Sequence, residues 1–190
     1  MPGGDRAFHN GIASGPAALG ARVAGPRAGE RAAPGVAAAE ILADTDDVQS
    51  LLEASGAIDG RLSTLKDLPY LRWRYGSFDR YRAVRIDSGG CVGIAIFRPR
   101  PDGMAVHVCE LIVPDDDRRS AHRLLRTVRS LCAAPILTCR FPSALDAARA
   151  GFMPRRRRDV VDVHLLRETV LPDPCANASW ALSLGDLELL

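Results

Sequence analysis

The sequence predicts an α+β domain built on a mixed, mostly antiparallel sheet flanked by helices. Three observations carry that prediction. The runs "YRAVRI", "CVGIAIF" and "MAVHVCELIV" follow one another across the short connections "DSGG" and "PDG", which is hairpin chemistry. A helical pattern then begins after Asp115, Asp116 and Asp117, with Leu124, Leu125, Val128, Leu131 and Cys132 on one stripe. Further helical patterns precede the hairpins, and the runs "PILTCRF", "SALDAARAGF", "DVVDVHLL" and "SWALSL" after them read as strand, short helix, strand and last short strand. Helices segregated against a hairpin-rich sheet define the α+β class.

Residues 1–34 are rich in Gly, Ala, Pro and Arg and lack hydrophobic periodicity. Such a segment buries too little apolar surface to repay its ordering entropy and is expected to be disordered, with an over-extended start as the simplest origin. Residues 35–190 form the domain. "GVAAAEILAD" fits helix by its alanines and strand by its position. Asp44 or Thr45 then caps a short helix with Val48, Leu51 and Leu52 at helical spacing. Asp67 caps a second, "LPYLRWRY", with Pro69 in its first turn and Gly76 at its end. Leu68, Leu71 and Tyr75 share one face of it, while Trp73 points elsewhere. The run "MAVHVCELIV" is apolar on both faces and is therefore expected to be the central strand.

Composition bounds the function. A chain of 190 residues with 47% hydrophobic content supports one core, and a net charge of +2 singles out neither nucleic acid nor a membrane surface as a partner. Lys66 is the single exception to an all-arginine basic set, as a GC-rich coding sequence gives, so arginine number alone carries no functional weight. The five cysteines lack CxxC spacing and fall mostly in apolar runs, which fits a reduced, cytoplasmic protein. No apolar run reaches the roughly 18 residues a membrane helix needs. Homo-oligomerisation stays open.

One window stands out. Tyr70, Trp73, Tyr75, Phe78 and Tyr81 include every tyrosine in the chain, and "YLRWRY" sets Arg72 and Arg74 among them. "LIVP" before a helix, "ARAGF" closing another, and the pair "YLRWRY" and "WALSLGDLE" together make residues 35–190 resemble the GCN5-related N-acetyltransferase (GNAT) family, in a bacterial branch met in polysaccharide gene clusters. The resemblance implies an acyl-CoA-dependent N-acyltransferase that moves an acetyl group from acetyl-CoA to a small-molecule amine. It also implies a cofactor site at Leu111, Ile112, Val113, Arg118, Arg119, Ser120 and Ala121, because a helix N-terminus offers N–H donors to a pyrophosphate.

Here the sequence departs from the family pattern. Asp116 and Arg119 stand where Gln or Arg and Gly belong, and only Ala121 matches. A glycine there admits close approach of backbone to phosphate, which Arg119 obstructs. "DDDRRS" therefore reads either as a cradle aided by Arg118 and Arg119 or as an ordinary helix cap, and the corresponding function is either acyl transfer or a degenerate, non-catalytic GNAT-fold binding module. The family's tyrosine acid has no counterpart, since Ala147 occupies its place.

Glu110 is the candidate base, because a carboxylate in an apolar strand acquires a raised pKa. Its competing reading is a structural ion pair with an arginine or with protonated His107. The resemblance sets this helix beside the acceptor groove, which makes Trp73 and Tyr75 candidates for its wall, with Arg74 to recognise a carboxylate or phosphate. On physical grounds Tyr75 is expected in the core, and Arg74 with Trp73 on the exposed edge. The run Arg155–Arg158 has no interleaved aromatics and reads as a solvated strand entrance, which disfavours nucleic acid.

Overall fold

The structure, a computed structural model, describes residues 10–13, 35–56, 60–115, 117–139, 152–154, 171–173, 176 and 179–187. In chain order the strands are β1 (Asn10–Ala13), β2 (Val36–Ala37), β3 (Arg82–Ser88), β4 (Cys91–Pro99), β5 (Ala105–Ile112), β6 (Ile136–Thr138) and β7 (Phe152–Pro154). The helices are α1 (Ala38–Ala43), α2 (Thr45–Ala54), α3 (Leu68–Leu71), α4 (Arg118–Cys132) and α5 (Leu184–Leu187). The fold is α+β, with an open, mostly antiparallel sheet. Strands β2 to β6 lie side by side as its body, and β1 and β7 continue it beyond β6.

The hairpins form where their turn residues demand. Ser88 pairs with Cys91 across Gly89 and Gly90, whose φ values of 60° and 70° are the two left-handed positions of a tight hairpin turn. Strand β5 is central, antiparallel to β4 and parallel to β6, as its two apolar faces require. "GVAAAEILAD" resolves into both readings: Val36 and Ala37 pair with β3, and α1 follows at once.

The sheet separates two cores. Helix α4 covers one face, where Leu124, Leu125 and Val128 meet Ala95, Phe97, Val106 and Val108. On the other, α1 to α3 bury Leu42, Val48, Leu51, Leu71 and Tyr75 against Ala83, Ile94, Ile96 and Cys109. Buried rings and aliphatics of this size each contribute a few kcal/mol, about 1.5–3 for a Leu or Phe side chain.

Three expectations are revised. Leu131, placed on the apolar stripe of α4, is exposed, while the next residue, Cys132, still packs against the core. "SWALSL" does not form a strand; Trp180 makes an isolated parallel bridge to Leu62, and the chain turns into α5 at Leu184. Asn10–Ala13, the described part of residues 1–34, forms β1 between β6 and β7. Arg74 is not exposed, for reasons given below. The run "DVVDVHLL", most of "SALDAARAGF" and the run Arg155–Arg158 lie outside the described residues. Among the described residues no helix is long and apolar enough to cross a membrane.

Candidate functional site

Helix α3 starts as its sequence dictates. Asp67 accepts a 2.8 Å hydrogen bond from the Tyr70 N–H, and Pro69 occupies the first turn. Its continuation, Arg72–Gly76, winds as a π-helix. That wider turn brings two successive side chains inward: Tyr75 is fully buried and Arg74 only 6% exposed, while Trp73 stands out at 63%. The Arg74 guanidinium donates to the Gly185 carbonyl of α5 at 2.9 Å, so it ties two segments together instead of forming an exposed edge with Trp73.

Opposite this turn, β5 carries an irregularity that decides where Glu110 points. Ile96 pairs with Glu110, but the next residue of β4, Phe97, pairs with Val108, which leaves Cys109 as the extra residue of a β-bulge. Strict alternation would send Glu110 to the α4 face along with Val108. The bulge reverses the parity, so Cys109 and Glu110 both face α1 to α3.

Glu110 arrives there in a ready-made set of donors. Its Oε1 accepts from Tyr75 Oη at 2.6 Å and from Ser183 Oγ at 2.7 Å, and its Oε2 from Lys66 Nζ at 2.5 Å. Lys66 also lies 3.3 Å from Asp186 Oδ2, and Tyr70 Oη donates to Asp186 Oδ1 at 3.3 Å. Asp186 is further held by the Ser183 N–H at 2.6 Å. The C-terminal segment that brings Ser183 and Asp186 is itself pinned at Leu62, whose N–H donates to the Ser179 carbonyl at 2.7 Å and whose carbonyl accepts from the Ala181 N–H at 2.8 Å.

The electrostatics follow from this arrangement. Burial pushes the Glu110 carboxyl above its ordinary range, and the Lys66 ammonium pulls it part of the way back. Asp186 also feels burial, but Lys66 and the Ser183 N–H outweigh it and leave this carboxyl below the usual range. Tyr70 is pushed up to about 12 by burial and the nearby carboxylates, and Tyr75 is raised further by burial and Glu110. Both phenols are therefore neutral donors at physiological pH. His107 is not the partner of Glu110; its Nδ1 lies 2.6 Å from Thr138 Oγ1 across the β5–β6 pair.

At the start of α4 the residues assigned to a pyrophosphate bind one another. Asp117 accepts from the Ser120 N–H at 3.0 Å and from Ser120 Oγ at 2.5 Å, its carboxylate also takes the Arg119 N–H, and its carbonyl takes the Ala121 N–H at 3.1 Å. These bonds hold the Asp117 carboxyl below its usual range. Ser120 is fully buried, and its Oγ also accepts from the Val92 N–H at 2.9 Å. Arg118 and Arg119 are exposed, and Leu111, Ile112 and Val113 run on from Glu110 toward the cap. Asp115 donates its N–H to the Ala54 carbonyl at the end of α2.

Of the residues singled out in the sequence, the fold brings Tyr75, Arg74 and Glu110 together, and leaves Trp73 outside. Beside Trp73 is a notch of about 100 Å³ lined by Trp73, Arg74, Ser77 and Phe78. Arg80 stacks 5.1 Å from both the Phe78 and Tyr81 ring centres. Lys66, Tyr70, Ser183, Gly185 and Asp186 were not singled out as site residues. Lys66 carried a signal as the one lysine among 24 arginines, and Tyr70, Ser183, Gly185 and Asp186 lie within the paired runs "YLRWRY" and "WALSLGDLE". Among the described residues no cluster of three His, Cys, Asp or Glu could hold a metal. No protein-family model matches the chain, and no curated protein or solved structure matches it. What fold and site define together is an α+β protein with a buried, lysine-neutralised carboxylate beneath a short C-terminal cover.

Proposed function

We propose that the chain is a degenerate, non-catalytic module on a GNAT-like scaffold, which binds a partner or metabolite instead of transferring an acyl group. The observation that carries this reading is the self-capped N-terminus of α4. The N–H groups of Arg119, Ser120 and Ala121, which the resemblance assigns to the cofactor pyrophosphate, are all taken by Asp117. The residues present do not fit acetyl-CoA: a carboxylate sits on the donors an anion would need, and Arg119 stands where backbone must approach phosphate.

Glu110 supports the same reading. A general base needs an open lone pair within reach of the proton it takes. Three bonds, from Tyr75, Ser183 and Lys66, already converge on the Glu110 carboxylate, and the residue is 3% exposed, so its remaining lone pair lies inside the protein, out of a substrate's reach. The notch beside Trp73 is well below the roughly 300 Å³ at which small-molecule sites begin. It suits one ring or one side chain of a partner, held against Trp73 and Phe78.

Acyl transfer to an amine is the second reading, and the raised pKa of Glu110 favours it, since such a carboxylate is matched to deprotonating an ammonium. Calorimetric titration with acetyl-CoA separates the two. The module reading expects no binding heat up to millimolar ligand. Saturable binding, with acetyl transfer to an amine lost in Glu110→Gln, would establish the acyltransferase instead.

A further inference from the structure

Helix α4 holds five arginines and no acidic residue in fifteen positions. At about 3.6 residues per turn, Arg119, Arg123, Arg126 and Arg129 fall on the side opposite Leu124 and Val128, which are buried on the sheet. Arg119, Arg126 and Arg129 are exposed. Arg123 donates to Ser88 O at 2.7 Å and to Ser88 Oγ at 3.0 Å, which fixes the helix against the β3–β4 turn. Asp117, at the foot of the helix, lies beside Arg119 and weakens the field there, so the stripe is strongest toward Arg129.

The acids are gathered on the other side of the sheet. Helices α1 and α2 carry Glu40, Asp46, Asp47 and Glu53 and no basic residue, though Arg85 pairs with Asp47 and Arg72 bonds to Leu42 and Thr45 there, and they pack in the core opposite α4. A coding bias toward arginine sets how many arginines the chain has, but it does not sort charges by sign across a sheet. A net charge of +2 thus conceals a basic face on α4, while on the opposite side Arg85 and Lys66 pair with acids.

We propose that the outer face of α4 docks on the phosphate backbone of a nucleic-acid duplex, without reading its sequence. Guanidinium groups match phosphate geometry, and spacings of three or four residues place one about every 5 Å along the helix, against one phosphate per about 3.4 Å of each strand. The face has no Phe, Tyr or Trp on which unpaired bases would stack, and its one ring, His122, is half-buried, so it is poorly equipped for single strands. A membrane surface fits less well, because an interfacial helix inserts an apolar face and that of α4 is spent on the sheet. This inference does not rest on the closed cofactor cradle.

The test is fluorescence anisotropy of a labelled 20-base-pair duplex titrated with the full chain at 50 and 200 mM NaCl. Three engaged arginines give a slope of log K against log salt of about −2.7, hence about 40-fold weaker binding at the higher salt. A second duplex of unrelated sequence is expected to bind equally. The triple variant R119E/R126E/R129E is expected to melt like the wild type and to lose at least about tenfold in affinity at 50 mM NaCl. Replacing Arg155, Arg156, Arg157 and Arg158 by alanine should leave most of the binding in place.

Loss of binding in that alanine variant with retention in the triple variant would overturn the proposal. So would absence of duplex binding at 50 mM NaCl. Triple-sensitive binding to phosphatidylserine vesicles in place of duplex would assign the face to membranes instead.

Discussion

Replacing Lys66 by methionine tests the core of the site most directly. The change keeps the length of the side chain and removes the positive charge that lies 2.5 Å from Glu110 and 3.3 Å from Asp186. Removing one partner of a buried ion pair costs about 3–5 kcal/mol. Lys66 is 19% exposed and Glu110 keeps its bonds to Tyr75 and Ser183, which points to the lower end, about 3 kcal/mol at pH 7. With an m-value of about 2 kcal/mol/M, the urea midpoint should fall by about 1.5 M.

The deficit must also depend on pH. The folded-state pKa of Glu110 is already above its ordinary 4.5, and losing the ammonium raises it further. A group shifted in that direction favours the fold below its unfolded pKa, and the advantage is lost as pH rises through the folded one. The variant should therefore approach the wild type as pH falls from 7 toward 5. The double variant K66M/E110Q should recover part of the loss, since Glu110 is then no longer a stranded charge and only Asp186 still lacks its cation. A deficit under about 1 kcal/mol, or one that is the same at pH 5 and pH 7, would refute the account of Lys66 as the neutralising partner.

Four other outcomes are expected. Gly185→Ala should lower stability by about 3 kcal/mol or more, because its Cβ would lie 1.9 Å from Tyr75 Oη and 2.8 Å from Glu110 Oε1; thermal melting reads this. Arg74→Ala should cost about 2 kcal/mol by leaving the buried Gly185 carbonyl unpaired, whereas Trp73→Ala should cost under about 0.5, and urea titration of both checks the order. Ser120→Ala should cost about 1–3 kcal/mol, since its buried hydroxyl links Asp117 to the Val92 N–H, and chemical denaturation measures it. Asp186 has a depressed folded pKa, so the stability it contributes is present above its ordinary 3.8 and lost as pH falls below that; an Asp186→Asn variant should show a shallower acid limb in a melting series from pH 5 to pH 2.

The fold was legible where local chemistry fixes it. Gly89 and Gly90 dictate their hairpin, Asp67 its cap, and the two-sided apolar run its central place in the sheet. The site was legible only in part, because contacts between distant segments make it. Tyr75 in the core and Trp73 outside follow from helical spacing, but Arg74 turns inward through a π-helical turn that no residue in "RWRYG" announces. The bulge at Cys109 was invisible for a related reason: in a strand apolar on both faces, a slip of one residue leaves no trace in the hydrophobic pattern. Ser183 and Asp186 come from a segment about seventy residues beyond Glu110, read as a strand, and their spacing to it in sequence carries no signal.

A carboxylate in an apolar strand supports two opposite conclusions until its neighbours are known. Burial raises its pKa in either case, so the raised pKa of Glu110 cannot by itself separate a base from a structural ion. Access separates them: a base keeps a lone pair directed at a space where substrate fits, and a structural carboxylate is enclosed by the protein. Glu110 accepts three bonds from the protein and is 3% exposed, and Gly185 leaves less room beside Tyr75 Oη than a single methyl group needs. The same test applied to the α4 N-terminus gives the same answer, since its donors are taken by Asp117. For acyl transfer to occur, both sites would have to open: Asp117 would have to release the helix cap, and the segment from Ser179 to Leu187 would have to leave Lys66, Tyr70, Arg74 and Glu110 together. The bonds that segment would surrender are the ones that keep a buried carboxylate tolerable, so opening it exposes the charge to water and removes the burial that raised its pKa. The basicity and the closure of Glu110 are thus two consequences of one packing arrangement.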